Sequence, residues 1–134
     1  MDDQVGAPTS SECIAQATAD MLAQVVAPEG RGLDGRSGIY NLTAKGETTW
    51  FGFAKALLIK SADIFGSPIA KLVPMSSTDH PRPARRPANL RLSCEKLDET
   101  FGMALPHWEH ALFSEMAAIA EKTSSATQLT SITV

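Results

Sequence analysis

The sequence holds one tyrosine and two cysteines in 134 residues. It also lacks any long apolar run. Its longest apolar stretch, Ala54 to Ile59, is broken by Lys55, whereas a spanning helix takes about 20 apolar residues. Cys13 and Cys94 sit in unrelated contexts. They make neither a disulfide framework nor a metal-ligand spacing, and fit reduced thiols of a cytoplasmic protein. The three histidines, His80, His107 and His110, are scattered over loop and helix and read as surface groups. Positive charge is not in excess: 12 Lys and Arg against 15 Asp and Glu leave a net charge of −3, which gives nucleic acid no bulk attraction. No G-x-G-x-x-G turn is present. Gly30-Arg31-Gly32 follows a helical pattern rather than a strand, the wrong context for seating a pyrophosphate. No Ser-His-Asp or Cys-His pairing suits a nucleophile. The acidic start, Met1-Asp2-Asp3-Gln4, has no apolar core and is no signal peptide.

What is present fits one globular domain. Hydrophobic content is 43%, and a chain of this length buries roughly two thirds of its unfolded surface. The organising stretch is Gly38 to Lys60. Gly38–Thr43 alternates apolar and polar residues and predicts a strand. Ala44-Lys45-Gly46 predicts a turn, with Gly46 free to take positive φ. Thr48 or Thr49 predicts a helix cap. Trp50, Phe53, Ala54, Leu57 and Leu58 then recur on one helical stripe that must be buried.

Around that unit, residues 2–8 read as a strand end and loop. Thr9-Ser10-Ser11-Glu12 has capping-box spacing. The helix it opens is expected to run to about Ala27, burying Ile14, Ala17, Met21, Leu22 and Val25. Ile69–Val73 predicts a second short strand. Met75–Asn89 is a polar, proline-punctuated loop of a length that is usually functional, with Arg82, Arg85 and Arg86, and then Arg91, clustered about it. Ser93 predicts the cap of a short helix, Cys94–Phe101, ended by Gly102. Pro106 suits the first turn of a last helix, His107 to about Lys122. Its apolar stripe is Leu112, Phe113, Met116 and Ile119. The domain is thus expected over 1–122, with 123–134 as a flexible tail.

Several of these segments carry a family resemblance. GIYNLTAKGETTWFGFAKAL (38–57) resembles the strand and helix in the substrate-binding half of the dTDP-4-dehydrorhamnose reductases. Asp3–Thr9 resembles that family's DQxGAPT segment, and Pro83–Leu92 its PAxRPxNSRL segment. Phe101-Gly102 with Leu105–Trp108 resembles its closing F(G/D)xxLPxW. The likeness runs from residue 2 to about 120. Two departures stand out: Leu90 where the family usually has Ser, and Ser93 where it usually has Asp or Asn.

The resemblance implies an α/β fold: the partial substrate-binding domain of an extended short-chain dehydrogenase/reductase, with short strands and three to four helices. The Rossmann half would lie outside this sequence. It implies NADPH- or NADH-dependent reduction of dTDP-4-dehydro-L-rhamnose to dTDP-L-rhamnose. The family's Tyr-x-x-x-Lys pair is absent, since Tyr40 is followed by Lys45, so this chain alone is expected to be inactive. Arg86 matches the family's fixed arginine and is expected to grip the substrate diphosphate, a task for a planar guanidinium. The competing role is a structural tie to the sheet, as Asn89 would supply by capping a turn. Asn89 and Gln4 complete the expected substrate site. Thr9 is assigned to capping.

Glu12, explained by the capping box, also matches a glutamate that some members use for Mg²⁺ at a dimer interface. A carboxylate suits that hard cation, and Glu115 and Glu121 are substitutes for its last-helix partner. The implied partners are a sugar nucleotide, a Rossmann domain and a second copy in a homodimer, with no nucleic acid and no membrane. Two other classes remain open. One is a non-enzymatic partner-binding relative like the regulatory subunit of methionine adenosyltransferase. The other is a different nucleotide-sugar reductase or epimerase.

Overall fold

The computed structural model describes all residues except 28–31, 67, 69, 80–82, 85 and 131–134, with backbone alone at 126–130. Among the described residues the order is β1 (Val5–Gly6), α1 (Ser11–Val26), β2 (Thr48–Thr49), α2 (Trp50–Phe65), a 3₁₀ turn (Ser77–Asp79), α3 (Glu95–Phe101) and α4 (Trp108–Thr130). The expected α/β class with short strands and four helices is met. β1 and β2 pair antiparallel, Val5 opposite Thr49 and Gly6 opposite Thr48. A parallel bridge from Val5 to Asn89 adds a third chain segment on the other edge of β1.

Local chemistry sets the helix ends. Thr49 caps α2, its hydroxyl accepting from Gly52 N at 3.0 Å. Gly66 and Gly102 close α2 and α3 in the left-handed region, each at φ 63°, where glycine has no Cβ penalty. α1 is capped by Ser10, which accepts from Cys13 N at 3.1 Å. The cap therefore falls one residue after the expected Thr9. Ser93 lies just ahead of α3, and its hydroxyl accepts from Glu95 N at 3.3 Å.

The core is small. Ala17 of α1, Leu97 of α3 and Leu105 form its buried centre, with Cys13, Met21, Tyr40, Leu42 and Phe101 packed around them. Tyr40 meets Phe101 edge-on at 5.3 Å between ring centroids, and its hydroxyl donates to Arg36 O at 2.6 Å. A second contact joins α2 to α4, where Phe53 packs on buried Trp108 at 6.1 Å. Lys45 O accepts from Trp108 N, and Lys45 N donates to Pro106 O, both at 3.0 Å. These two bonds fasten the start of α4 to the turn at Gly46, which has φ 79°.

The structure corrects several expectations. Gly38–Thr43 is in no sheet. Its alternation lays Tyr40 and Leu42 on the helical core, while Ile39 is 90% exposed. Side-chain bonds hold the segment beside the start of α3 instead: Lys96 Nζ donates to Ile39 O, and Asn41 Nδ2 donates to Ser93 O. Ala70–Val73 forms no strand, and Ile69 lies outside the described residues. Val73 is 66% exposed, with no sheet to take it. On α1 only Ala17 is buried, while Ile14 and Leu22 are exposed, because the helix lays a narrow stripe on α3. On α2, Trp50 and Leu57 are exposed, and on α4, Phe113 and Ile119. α4 passes Lys122 and reaches Thr130. The hydroxyls of Thr123, Ser124 and Ser125 donate to carbonyls one turn back.

Candidate functional site

The antiparallel ribbon and the start of α2 frame a cleft of about 210 Å³. Gln4, Gly6, Ala7 and Pro8 form one wall. Thr48 and Thr49 lead into Trp50 and Phe53 on the other, and Leu90 closes the end. None of these residues is charged. Gly6 permits the closeness of the walls, since a Cβ there would meet Leu90 Cβ at 3.2 Å. Trp50 is held at the rim by the Thr49 cap and is 57% exposed.

Gln4 brings the one carboxamide to a mostly apolar lining that also includes the threonines Thr48 and Thr49. Its side chain lines the cleft, the residue is 6% exposed, and among the described residues its carboxamide makes no hydrogen bond. A carboxamide free on both its C=O and NH₂ sides is a ready receptor for a ligand's donor and acceptor. Of the expected site residues, Gln4 is the one the structure places in the cleft.

Arg86 and Asn89 lie on the segment that starts beyond Met75, and both are exposed. That segment is fastened at both ends to residues 2–5. Asp2 N donates to Met75 O at 2.9 Å, Val5 N to Ala88 O at 2.8 Å, and Leu90 N to Val5 O at 2.8 Å. Asn89 Oδ1 accepts from Arg91 N at 3.1 Å, so it caps a turn and does not line the cleft. Arg86 makes no hydrogen bond or ion pair among the described residues. Arg82 and Arg85 lie outside the described residues.

Thr9 does different work from capping. Its hydroxyl donates to Ala7 O and accepts from Ala44 N, both at 3.0 Å, tying the cleft wall to the chain ahead of α2. Glu12 is exposed on the first turn of α1, where a carboxylate also suits the helix dipole. No group of three or more His, Cys, Asp or Glu that could hold a metal gathers among the described residues. Glu12 alone does not make a cation site. No helix among them is long and apolar enough to cross a membrane.

Two features were not anticipated from the sequence. Asp3 Oδ2 accepts from Ser77 Oγ, Ser77 N and Ser76 Oγ. The Ser77 hydroxyl and then its amide hold the Asp3 carboxyl below its ordinary value. Glu47 and Arg91 form a two-pronged ion pair beside β2. Hydrogen bonding from Arg91 lowers the Glu47 value, and the same bond raises that of Arg91. Asp3 stood out only as part of its motif, and its partners Ser76 and Ser77, more than seventy residues away, meet it only through the fold. Leu90, already noted as a departure from the family pattern, proves to be cleft lining.

Comparison with known proteins matches residues 1–121 to the RmlD substrate binding domain. A dTDP-4-dehydrorhamnose reductase of Burkholderia thailandensis is 41% identical over 113 residues, covering 82% of this chain and 38% of the relative. That of Escherichia coli K12 is 39% identical over 112 residues, covering 81% of this chain and 35% of the relative. The chain thus spans little more than a third of these curated relatives. The crystal structure of a dTDP-4-dehydrorhamnose reductase from Clostridium acetobutylicum superposes with a TM-score of 0.68 at 26% identity, covering 89% of this chain and 37% of that one.

Proposed function

This chain belongs to the family of RmlD substrate-binding domains, and we propose on that ground that it supplies the substrate-binding part of a dTDP-4-dehydrorhamnose reductase. The reaction is reduction of the 4-keto group of dTDP-4-dehydro-L-rhamnose to the hydroxyl of dTDP-L-rhamnose, with NADPH or NADH as the reductant. The single observation that carries the reading is Gln4, a carboxamide without a hydrogen-bonding partner among the described residues, in an uncharged and mostly apolar cleft beside Trp50. Pockets of this kind, apolar with few convergent polar groups, are the usual form of a small-molecule site.

The share of this chain is binding and orientation. Gln4 takes a polar edge of the ligand inside the cleft. Arg86, exposed and without a described partner, takes the diphosphate outside it by charge-assisted hydrogen bonds. Asn89 sets the turn that carries Leu90 into the wall. The residues of this chain do not fit a nicotinamide cofactor. They include no glycine-rich strand-to-helix turn, and the Tyr40 hydroxyl is committed to Arg36 O. A Mg²⁺ at Glu12 would need carboxylates from a second copy, which links that proposal to a homodimer.

The test is reconstitution. Joined to the cofactor-binding part of the Escherichia coli relative, this chain is expected to support NADPH oxidation that depends on dTDP-4-dehydro-L-rhamnose. Alone it is expected to support none. A folded hybrid that binds NADPH but turns over no 4-keto sugar nucleotide would refute the reading.

A further inference from the structure

We propose that the Gln4 cleft holds the pyrimidine base of the nucleotide rather than its sugar; this rests on the sugar-nucleotide reading above. Size is the first argument. A cleft of about 210 Å³ falls below the roughly 300–1,000 Å³ of sites that enclose a whole drug-sized ligand. It takes one ring of a sugar nucleotide and leaves the remainder outside.

Polarity decides which ring. A hexose presents hydroxyls around its rim, and each one buried against Phe53, Pro8 or Leu90 would lose its water without a partner, at a cost. A pyrimidine has two apolar faces and confines its polarity to its edges. The thymine imide offers N3–H as donor and an adjacent carbonyl as acceptor. A carboxamide matches that pair with two parallel hydrogen bonds: Gln4 Oε1 accepts from N3–H, and Gln4 Nε2 donates to the neighbouring carbonyl. Proteins read unstacked bases in this way, by their hydrogen-bonding edge and by an aromatic side chain on their face. Gln4 is buried to 6% exposure with neither side of its amide bonded among the described residues, and Trp50 stands at the rim with 57% of its surface open. The uncharged lining places the diphosphate outside the cleft, toward the arginine-bearing segment that Leu90 terminates.

The inference is tested on the full chain with thymidine 5′-diphosphate and its N3-methyl analogue, reading Trp50 fluorescence or nuclear resonance. Methylation removes the N3–H donor and leaves the sugar and diphosphate unchanged. Thymidine diphosphate is expected to bind, and the analogue to bind on the order of tenfold more weakly or worse. In Gln4→Leu the two are expected to bind alike. Equal affinity of the unaltered chain for both nucleotides would overturn the base assignment while leaving nucleotide binding intact. No binding of either would overturn it together with the reading it rests on. The comparison on the unaltered chain needs no variant, so it decides the matter even if Gln4→Leu fails to fold.

Discussion

Asp3 and Ser77 are joined twice: one carboxylate oxygen, Oδ2, accepts from the Ser77 hydroxyl at 2.5 Å and from its backbone amide at 2.8 Å. The same oxygen accepts from Ser76 Oγ at 3.1 Å. Seventy-odd residues of chain separate the partners, so this one side chain fixes where the polar segment after Met75 departs from the ribbon. The bonds to Val5 fix where it returns.

That arrangement has a pH signature. The Asp3 carboxyl is held below its ordinary value of 3.8, first by the Ser77 hydroxyl and next by the Ser77 amide. A depressed folded value means that the stabilisation is complete above the ordinary carboxylate range. It is lost as pH falls through the lowered value. Asp3→Asn is therefore expected to lower the melting temperature at neutral pH, and the gap to the unaltered chain is expected to narrow in acid. Melting curves from pH 7 down to about pH 2 check this. A gap that stays constant throughout would show that Asp3 does not act as a carboxylate.

Gly46 and Gly66 offer a matched pair. Both sit in the left-handed region, at φ 79° and 63°. A Cβ at Gly66 meets nothing within 4 Å, whereas one at Gly46 would overlap the His107 imidazole. Gly66→Ala is expected to cost about 1–2 kcal/mol from backbone strain alone. Gly46→Ala is expected to cost more, because His107 must also leave its place beside the Lys45 bridge that seats α4. Urea unfolding of the two variants measures the difference. Equal losses would mean that His107 swings aside freely.

Much of this fold was legible wherever the signal is local. The Thr49 cap, the Gly102 stop and the positive φ of Gly46 follow from residue type at a boundary. The helices follow from their periodicity. Non-local pairing was not legible. Gly38–Thr43 has a strand's alternation, but the ribbon forms at Thr48–Thr49 instead, where β1 supplies a partner. The Thr9-x-x-Glu12 spacing matches a capping box, yet Ser10 takes the cap because Thr9 has Ala44 N to hold. Apolar stripes predict burial that Trp50, Leu57 and Ile119 do not have, because periodicity reports a face and not what covers it. Among the site residues, Gln4 was reachable from its motif. The lack of a hydrogen-bonding partner for its amide was visible only in three dimensions.

Arg86 separates binding from structure. It is exposed and without hydrogen bond or ion pair among the described residues, so Arg86→Ala is expected to change stability by less than about 0.5 kcal/mol. If Arg86 grips the diphosphate, affinity for dTDP-L-rhamnose falls by about 1.5–3 kcal/mol, the range for a charge-assisted contact. Calorimetric titration and a thermal melt on the same preparation read both quantities. Unchanged affinity would remove Arg86 from the site, whatever the melt does.

The most direct test of the central claim, that the cleft between the ribbon and α2 binds the sugar nucleotide, uses the two tryptophans of the chain. Trp50 lines the cleft and is 57% exposed, whereas Trp108 is 5% exposed beneath α2. Titration of the full chain with dTDP-L-rhamnose, followed by the two indole N–H resonances, is predicted to move the Trp50 signal saturably while Trp108 shifts little. A Trp50 resonance that stays fixed at saturating nucleotide, or a response confined to Trp108, would contradict the account.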